Sequence, residues 1–278
     1  MKYFRATLII LVAAFTACTS GEQKAAQSMI KQAESQYTQG AYDTAIHLLD
    51  SLHTTYPSLV KERKEALALA QEIKLAKSTA DSARVAPMLE QSIALLERMH
   101  QDFKEIKYPD MPDETILRYQ GIDASADTNR PFLDAYLDHD GRLQLIAGCV
   151  APRYQGVEYI TVQETAGNTF VASDTIPYDG GRNYRFAVDG RAYERLTLSL
   201  DAGIRVAALI SDTPSDTPIR VTFFNTAGRE AQHFVLSKRS RMAVKGCYNY
   251  FSTYVSIKDM EEVLNKHEQR RTRHYMAD

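Results

Sequence analysis

Between Gln23 and Lys107 the chain holds a single glycine, Gly40, in a run rich in Ala, Leu, Glu, Gln and Lys. Beyond residue 131 short β-rich runs alternate with Gly, Asp, Asn and Pro. Alanine and straight-chain residues lose little side-chain freedom in a helix, whereas closely spaced turn formers punctuate strands. The break therefore predicts an α+β protein of two domains. A helical domain covers residues 23–106, and a β domain, an antiparallel sandwich or open barrel with a terminal helix, covers 132–278. Between them "KYPDMPDETILRYQGIDASADTNRP", residues 107–131, carries three prolines and reads as a linker around one short helix, Glu114 to Tyr119. With 44% hydrophobic residues, the chain has enough apolar material for packed cores.

The segment "AAQSMIKQAESQYTQGAYDTAIHLLDSLHTTYPS", residues 25–58, predicts a helical hairpin. Gly40 suits the left-handed end of the first helix, and Asp43 places an acid in the first turn of the second. Tyr42, Ala45, Ile46, Leu49, Leu52 and Tyr56 then form one apolar stripe, which stops at Pro57. The segment resembles a tetratricopeptide repeat over its 34 residues. Ala33, Tyr37, Gly40, Tyr42, Ala45 and Pro57 match the family pattern, while Met29 stands for an aromatic and Leu52 for a small residue.

A repeat of this kind cannot bury its apolar face alone, so a neighbour is expected. A shift of 47 residues aligns "AIHLLDSLHTTYP" with "SIALLERMHQDFK", placing Ile46, Leu48, Leu49, His53 and Tyr56 on Ile93, Leu95, Leu96, His100 and Phe103. This predicts a second hairpin, with one helix over 58–84 and another over 87–104 that opens on Pro87. His53 and His100, equivalent by the repeat, read as packing residues.

In the C-terminal part, strands are expected over 132–137, 142–150, 157–163, 169–176, 184–188, 195–200, 204–210, 219–224 and 232–236. "DHDG" marks a hairpin at 138–141, and "DAG" at 201–203 and "TAG" at 226–228 read as further turns. A closing helix over 257–273 offers Met260, Val263, Leu264 and His267 to the sheet.

The first 17 residues have Lys2 and Arg5, an apolar run from Thr7 to Phe15, and then Thr16 and Ala17 before Cys18. That run is too short to span a bilayer and reads as a secretory signal. Phe15-Thr16-Ala17-Cys18 resembles the bacterial lipoprotein signal. The resemblance implies cleavage before Cys18, lipidation of its thiol, and a tether over residues 18–22. No acidic residue follows the cysteine directly, which by the same resemblance points to the outer membrane facing the periplasm and leaves surface display open. Loss of Lys2 and Arg5 leaves 31 basic against 35 acidic residues, a balance that gives no general attraction for nucleic acid. An oxidising compartment leaves two readings for Cys149 and Cys247, a disulfide or a pair of buried free thiols.

Three features invite a functional reading. Tyr248, Tyr250 and Tyr254, with Phe251, form an aromatic cluster that suits a ligand surface or a half-buried strand. Asp138, Asp140 and Gly141 resemble the start of a calcium loop but lack its later ligands, so they read as a hairpin turn and no metal site is assigned. "KHEQRRTRH", residues 266–274, reads as a basic helix end suited to its dipole. Neither a nucleophile with a base nor a phosphate, dinucleotide or zinc motif is present, and no cofactor is implied. The chain reads as a non-catalytic envelope lipoprotein, held on a membrane by its lipid, whose hairpins serve as a scaffold for an envelope protein partner. The alternative is a glycan- or peptide-binding lipoprotein that uses its β domain.

Overall fold

The computed structural model describes residues 21–108, 111–120, 129–165, 167 and 169–275. Cys18, the expected signal segment before it and part of the 107–131 stretch lie outside the described residues. The chain divides into two compact units, one of residues up to Leu89 together with those from Met260, the other Glu90–Asp259. No helix among the described residues is long and apolar enough to cross a membrane.

In the first unit, α1 (residues 21–38) and α2 (Tyr42–Thr55) are joined at Gly40. There φ is +76°, Gly40 N donates to Tyr37 O at 2.9 Å and Ala41 N to Gln36 O at 2.9 Å. That pair of bonds satisfies the last carbonyls of α1 and turns the chain back. The hairpin packs on the start of α3 (Val60–His100) through Ala26, Ile30, Ala33, Ala45, Leu49, Leu52, Ala66, Ala70 and Ile73. Alanines at these contacts let the helix backbones approach closely. Arg63 Nε donates to His53 Nδ1 at 3.2 Å, so His53 is held by α3 as a packing residue.

The second expected hairpin does not form. α3 is one helix of 41 residues with Pro87 inside it, not two helices over 58–84 and 87–104. A proline removes one backbone bond but does not by itself reverse a chain, and no glycine follows to supply the left-handed turn that Gly40 supplies upstream. Ile93 and Leu95 are accordingly exposed, while Leu96 and Met99 join the core of the second unit. The closing helix α5 (Lys238–Tyr275) also departs from expectation. It begins well before residue 257, and Met260, Val263, Leu264 and His267 belong to the helical unit rather than to a sheet face. His267 Nδ1 lies 3.1 Å from Ser78 Oγ of α3.

The second unit holds two antiparallel sheets. The first contains β1 (Phe103–Tyr108), β2 (Met111–Tyr119), β3 (Phe132–Leu137), β4 (Leu143–Ala151), β7 (Asn183–Val188) and β8 (Arg191–Thr197), in the order β1-β2-β3-β4-β8-β7. The second contains β5 (Val157–Glu164), β6 (Phe170–Ala172), β9 (Ile219–Asn225) and β10 (Glu230–Val235), in the order β10-β9-β5-β6. The expected helix at 114–119 is instead part of β2, whose Leu117 and Tyr119 face Glu105 and Phe103 of β1. Its β-branched and aromatic residues fit a pleated ladder better than an isolated helical turn.

The expected strand at 204–210 is also replaced, by helix α4 (Leu200–Asp212). Ser199 Oγ accepts from Ala202 N at 3.3 Å as its N-cap, and Asp201 lies in its first turn. Ala202, Val206, Ala207 and Ile210 recur at helical spacing and are buried. "DAG" is therefore the opening of a helix, not a turn.

Both sheets feed one core: Leu133 and Leu137 of β3, Leu143, Leu145 and Cys149 of β4, Ile160 and Val162 of β5, and Val221 and Phe223 of β9. Two amide side chains, one buried and one half-buried, stitch the sheets together. Asn183 Nδ2 of β7 donates to Val157 O at 2.9 Å and Ile176 O at 2.8 Å. Gln232 of β10 donates to Val150 O at 3.0 Å and accepts from Val150 N at 3.2 Å, pairing with β4 as a strand would.

Candidate functional site

Tyr119, the last residue of β2, lies edge-on to Phe103 of β1, with ring centroids 5.4 Å apart. Phe103 in turn meets Tyr250 of α5 at 5.0 Å. The three rings form a wall with a groove on either side. The first groove, about 600 Å³, is lined by Leu95 and Met99 at the end of α3, by Asp102, Phe103 and Tyr119, and by Gly246, Tyr248, Asn249, Ser252 and Thr253 of α5. Rings and aliphatic side chains supply apolar faces, while a carboxylate, an amide and two hydroxyls supply directional hydrogen bonds. This mixture characterises recognition sites for small polar ligands. Burial, followed by the nearby Asp102 charge, pushes the Tyr119 phenol above its ordinary range.

The second groove, about 530 Å³, is lined by His100, Glu105, Lys107, Thr115, Leu117, Tyr250, Tyr254 and the β3–β4 turn. His100 Nδ1 lies 3.3 Å from the Tyr250 hydroxyl. Tyr254 covers Gly141, and Lys258 Nζ stands 5.5 Å from the Tyr254 centroid. Burial and then Tyr254 raise the pKa of Tyr250.

The three tyrosines named from sequence are thus on one helix and do not form one surface. Tyr250 and Tyr254, four residues apart, share one helix face, and Tyr248 opens on the other groove. Asp102, Tyr119, Asn249, Ser252 and Thr253 had no signal in the sequence, because three segments distant along the chain bring them together.

Cys149 and Cys247 are free and buried, so the disulfide reading is not met. The Cys149 thiol donates to Gln232 Oε1 at 3.2 Å. Burial and the Glu194 charge push its pKa up to about 12. Burial raises that of Cys247 as well, and Asp134 adds to the effect. Thiols so disposed are inert as nucleophiles.

At 138–141 the carboxylates are committed to the turn. Asp138 Oδ1 accepts from Asp140 N at 3.0 Å and Arg142 N at 2.9 Å, and Oδ2 accepts from Gln144 Nε2 at 3.0 Å. Asp140 meets Arg142 and His139, each at 3.4 Å. In the basic end of α5, Arg271 pairs with Glu268 and Lys266 with Glu262. Lys266 and Arg270 border a shallow groove with Lys74 and Lys77 of α3.

No family model, no curated protein and no solved structure matches this chain.

Proposed function

We propose that this chain is a non-catalytic lipoprotein of the cell envelope that binds a glycan, or a peptide of similar polarity, in the Tyr119–Tyr248 groove. The observation that carries the reading is the lining of that groove. Phe103, Tyr119 and Tyr248 offer rings to the apolar faces of a sugar, and Asp102, Asn249 and Ser252 stand beside them as hydrogen-bonding partners for hydroxyls. Cys18 carries the lipid that holds the protein to the outer membrane on its periplasmic side. Several buried acyl chains, at about 0.8 kcal/mol per CH₂, make that attachment lasting.

A second reading rests on the first unit. Its α1–α2 hairpin has the small buried residues, Ala33 and Ala45, and the glycine turn of a tetratricopeptide-like repeat, which supports a scaffold for an envelope protein partner. Among the described residues its exposed large apolar side chains are Val60, Leu67 and Met88 of α3, at least seven residues apart, and Val263 of α5, which favours the groove as the principal binding surface.

Two experiments test these readings. The mature chain with Cys18→Ser is expected in the soluble fraction, and its retention in membranes would overturn the anchor. The same chain is titrated with defined envelope glycan fragments beside Tyr248→Ala and Asn249→Ala. Binding that falls about tenfold or more in both variants supports the groove, since each removes one stacking or hydrogen-bonding contact. Binding unchanged by both, or no binding at all, overturns it; a crosslinked protein partner captured equally by the Tyr248→Ala chain would then favour the scaffold.

A further inference from the structure

We propose that the ligand of the Tyr119–Tyr248 groove is an amino sugar whose free ammonium group is read by Asp102. The inference rests on the glycan reading of that groove and names the kind of sugar it selects. Among the described residues that line the groove, Asp102 carries the one formal charge, and no lysine, arginine or histidine stands with it. The second groove differs. It sets Glu105 and Asp140 against Lys107 and His139, and so favours neither sign.

Asp102 lies in the short connection from α3, which ends at His100, to β1, which begins at Phe103. Its backbone is fixed there: the N–H donates to Met99 O at 3.0 Å, and the carbonyl accepts from Gln120 N at 2.7 Å. Its carboxylate has neither a hydrogen bond nor an ion pair among the described residues. A carboxylate held by its main chain and open at its oxygens keeps its acceptor sites for an incoming cation. Such a cation meets rings as well as oxygens, because Tyr119 and Tyr248, both half-buried, line the same groove and aromatic faces attract positive charge. An ammonium gains from both. A hard metal ion would demand several oxygen ligands, and the lining supplies one carboxylate.

The rest of the lining suits a hydroxylated ring. Asn249, Ser252 and Thr253 stand at positions i, i+3 and i+4 and so share one face of α5. The Asn249 amide and the Ser252 hydroxyl have no hydrogen-bond partners among the described residues, which leaves their donors and acceptors open. Thr253 Oγ1 donates to Asn249 O at 2.9 Å and can still accept. Neighbouring sugar hydroxyls present donors and acceptors at short spacing, and an amino sugar adds the ammonium that Asp102 balances. An extended peptide would bring main-chain groups in search of a strand edge, whereas α5 offers the groove side chains, its backbone bonds being closed within the helix.

The probes are a trimer of β-linked glucosamine and its fully N-acetylated, neutral counterpart, titrated calorimetrically into the intact mature chain at about pH 5.5, where amines are protonated and aspartate is ionised. The amine trimer is expected to bind about tenfold or more tightly than the N-acetylated one, as a charged hydrogen bond with ring contact gives. Asp102→Asn keeps the shape and removes the charge, and the ratio of the two affinities is expected to fall to about one, which separates charge from the bulk of the acetyl group. An unchanged ratio in that variant overturns the role of Asp102. Equal or tighter binding of the N-acetylated trimer, with both trimers weakened by Tyr248→Ala, overturns the amino-sugar proposal and leaves the glycan reading standing. Trilysine bound as tightly as the amine trimer shows that an ammonium alone is read, and overturns the sugar. Binding of neither trimer overturns the proposal, and the glycan reading then stands or falls with the envelope fragments. Should Asp102→Asn fail to fold, the ratio on the unaltered chain still decides.

Discussion

The ring of Tyr119 abuts Gly246, so close that a β-carbon on residue 246 would overlap it. This contact seats β2 on α5 and forms the floor of the first groove. Gly246→Ala is expected to destabilise the protein by about 1–3 kcal/mol in urea denaturation, as overpacking does. Because the clash is with one ring, the loss should largely vanish when Ala is introduced in a Tyr119→Leu background. Additive losses in the double variant would show that the glycine serves something other than this approach.

Glu194 is almost completely buried, yet its carboxylate is fully used. Oε1 accepts from Gly156 N at 2.9 Å and Val157 N at 3.1 Å, Oε2 accepts from Gln155 N, and Arg185 Nε stands 3.1 Å away. The cluster ties β8 to the entry of β5 across the two sheets. Glu194→Gln turns one acceptor into a donor facing backbone N–H groups and leaves Arg185 without its counter-charge. A loss of about 3 kcal/mol or more is expected in the unfolding free energy; a change within a few tenths would mean that the carboxylate is dispensable.

Asp174 gives a pH signature. Burial by itself raises its pKa, but hydrogen bonds from Arg182 Nη2 at 2.6 Å and Ser199 Oγ at 3.1 Å outweigh that and hold it below the ordinary aspartate range. A depressed carboxylate contributes stability above its unfolded-state pKa and loses it as pH falls through the folded value. The difference in urea midpoint between the parent chain and Asp174→Asn should therefore be largest near neutral pH and shrink from about pH 5 to about pH 2. Since Ser199 also caps α4, helix content of the variant at neutral pH should be checked by circular dichroism. A difference independent of pH would assign the residue to hydrogen bonding alone.

Cys149 and Cys247 are predicted to resist a thiol reagent at pH 8 in the native protein and to react fully in denaturant. Buried thiols with raised pKa values hold almost no thiolate at that pH. Their labelling rates should follow global opening of the β unit, Cys247 being fully buried in α5 against the core. Rapid native labelling of either, or a reduction-sensitive shift on a gel, would contradict the burial described.

How much was legible in the sequence differs by element. Gly40, Asp43 and the stripe Ala45–Leu49–Leu52 mark α2 and its turn because capping and helical periodicity are properties of neighbouring residues. The alternation in Leu143–Cys149, and the pair Asp140–Gly141, likewise mark β4 and the turn before it. α4 was misread because "IRVAALI" is apolar enough to suit a strand or a buried helix, and only Ser199 and the packing of Ala202 and Val206 choose between them. Of the site, Tyr248, Tyr250 and Tyr254 were visible as aromatic residues, but not their division between two grooves.

What the sequence determined by itself is therefore local: where helices cap, where hairpins turn and which residues alternate. The tertiary structure alone decided that α3 runs through Pro87, that α5 starts at Lys238 and ends in the helical unit, that the two thiols stay apart, and that Asp102, Tyr119 and Asn249 line one groove. The physical reason is that these outcomes depend on contacts between residues far apart in the chain. Such contacts can outweigh propensity differences that amount to about 1 kcal/mol or less per residue.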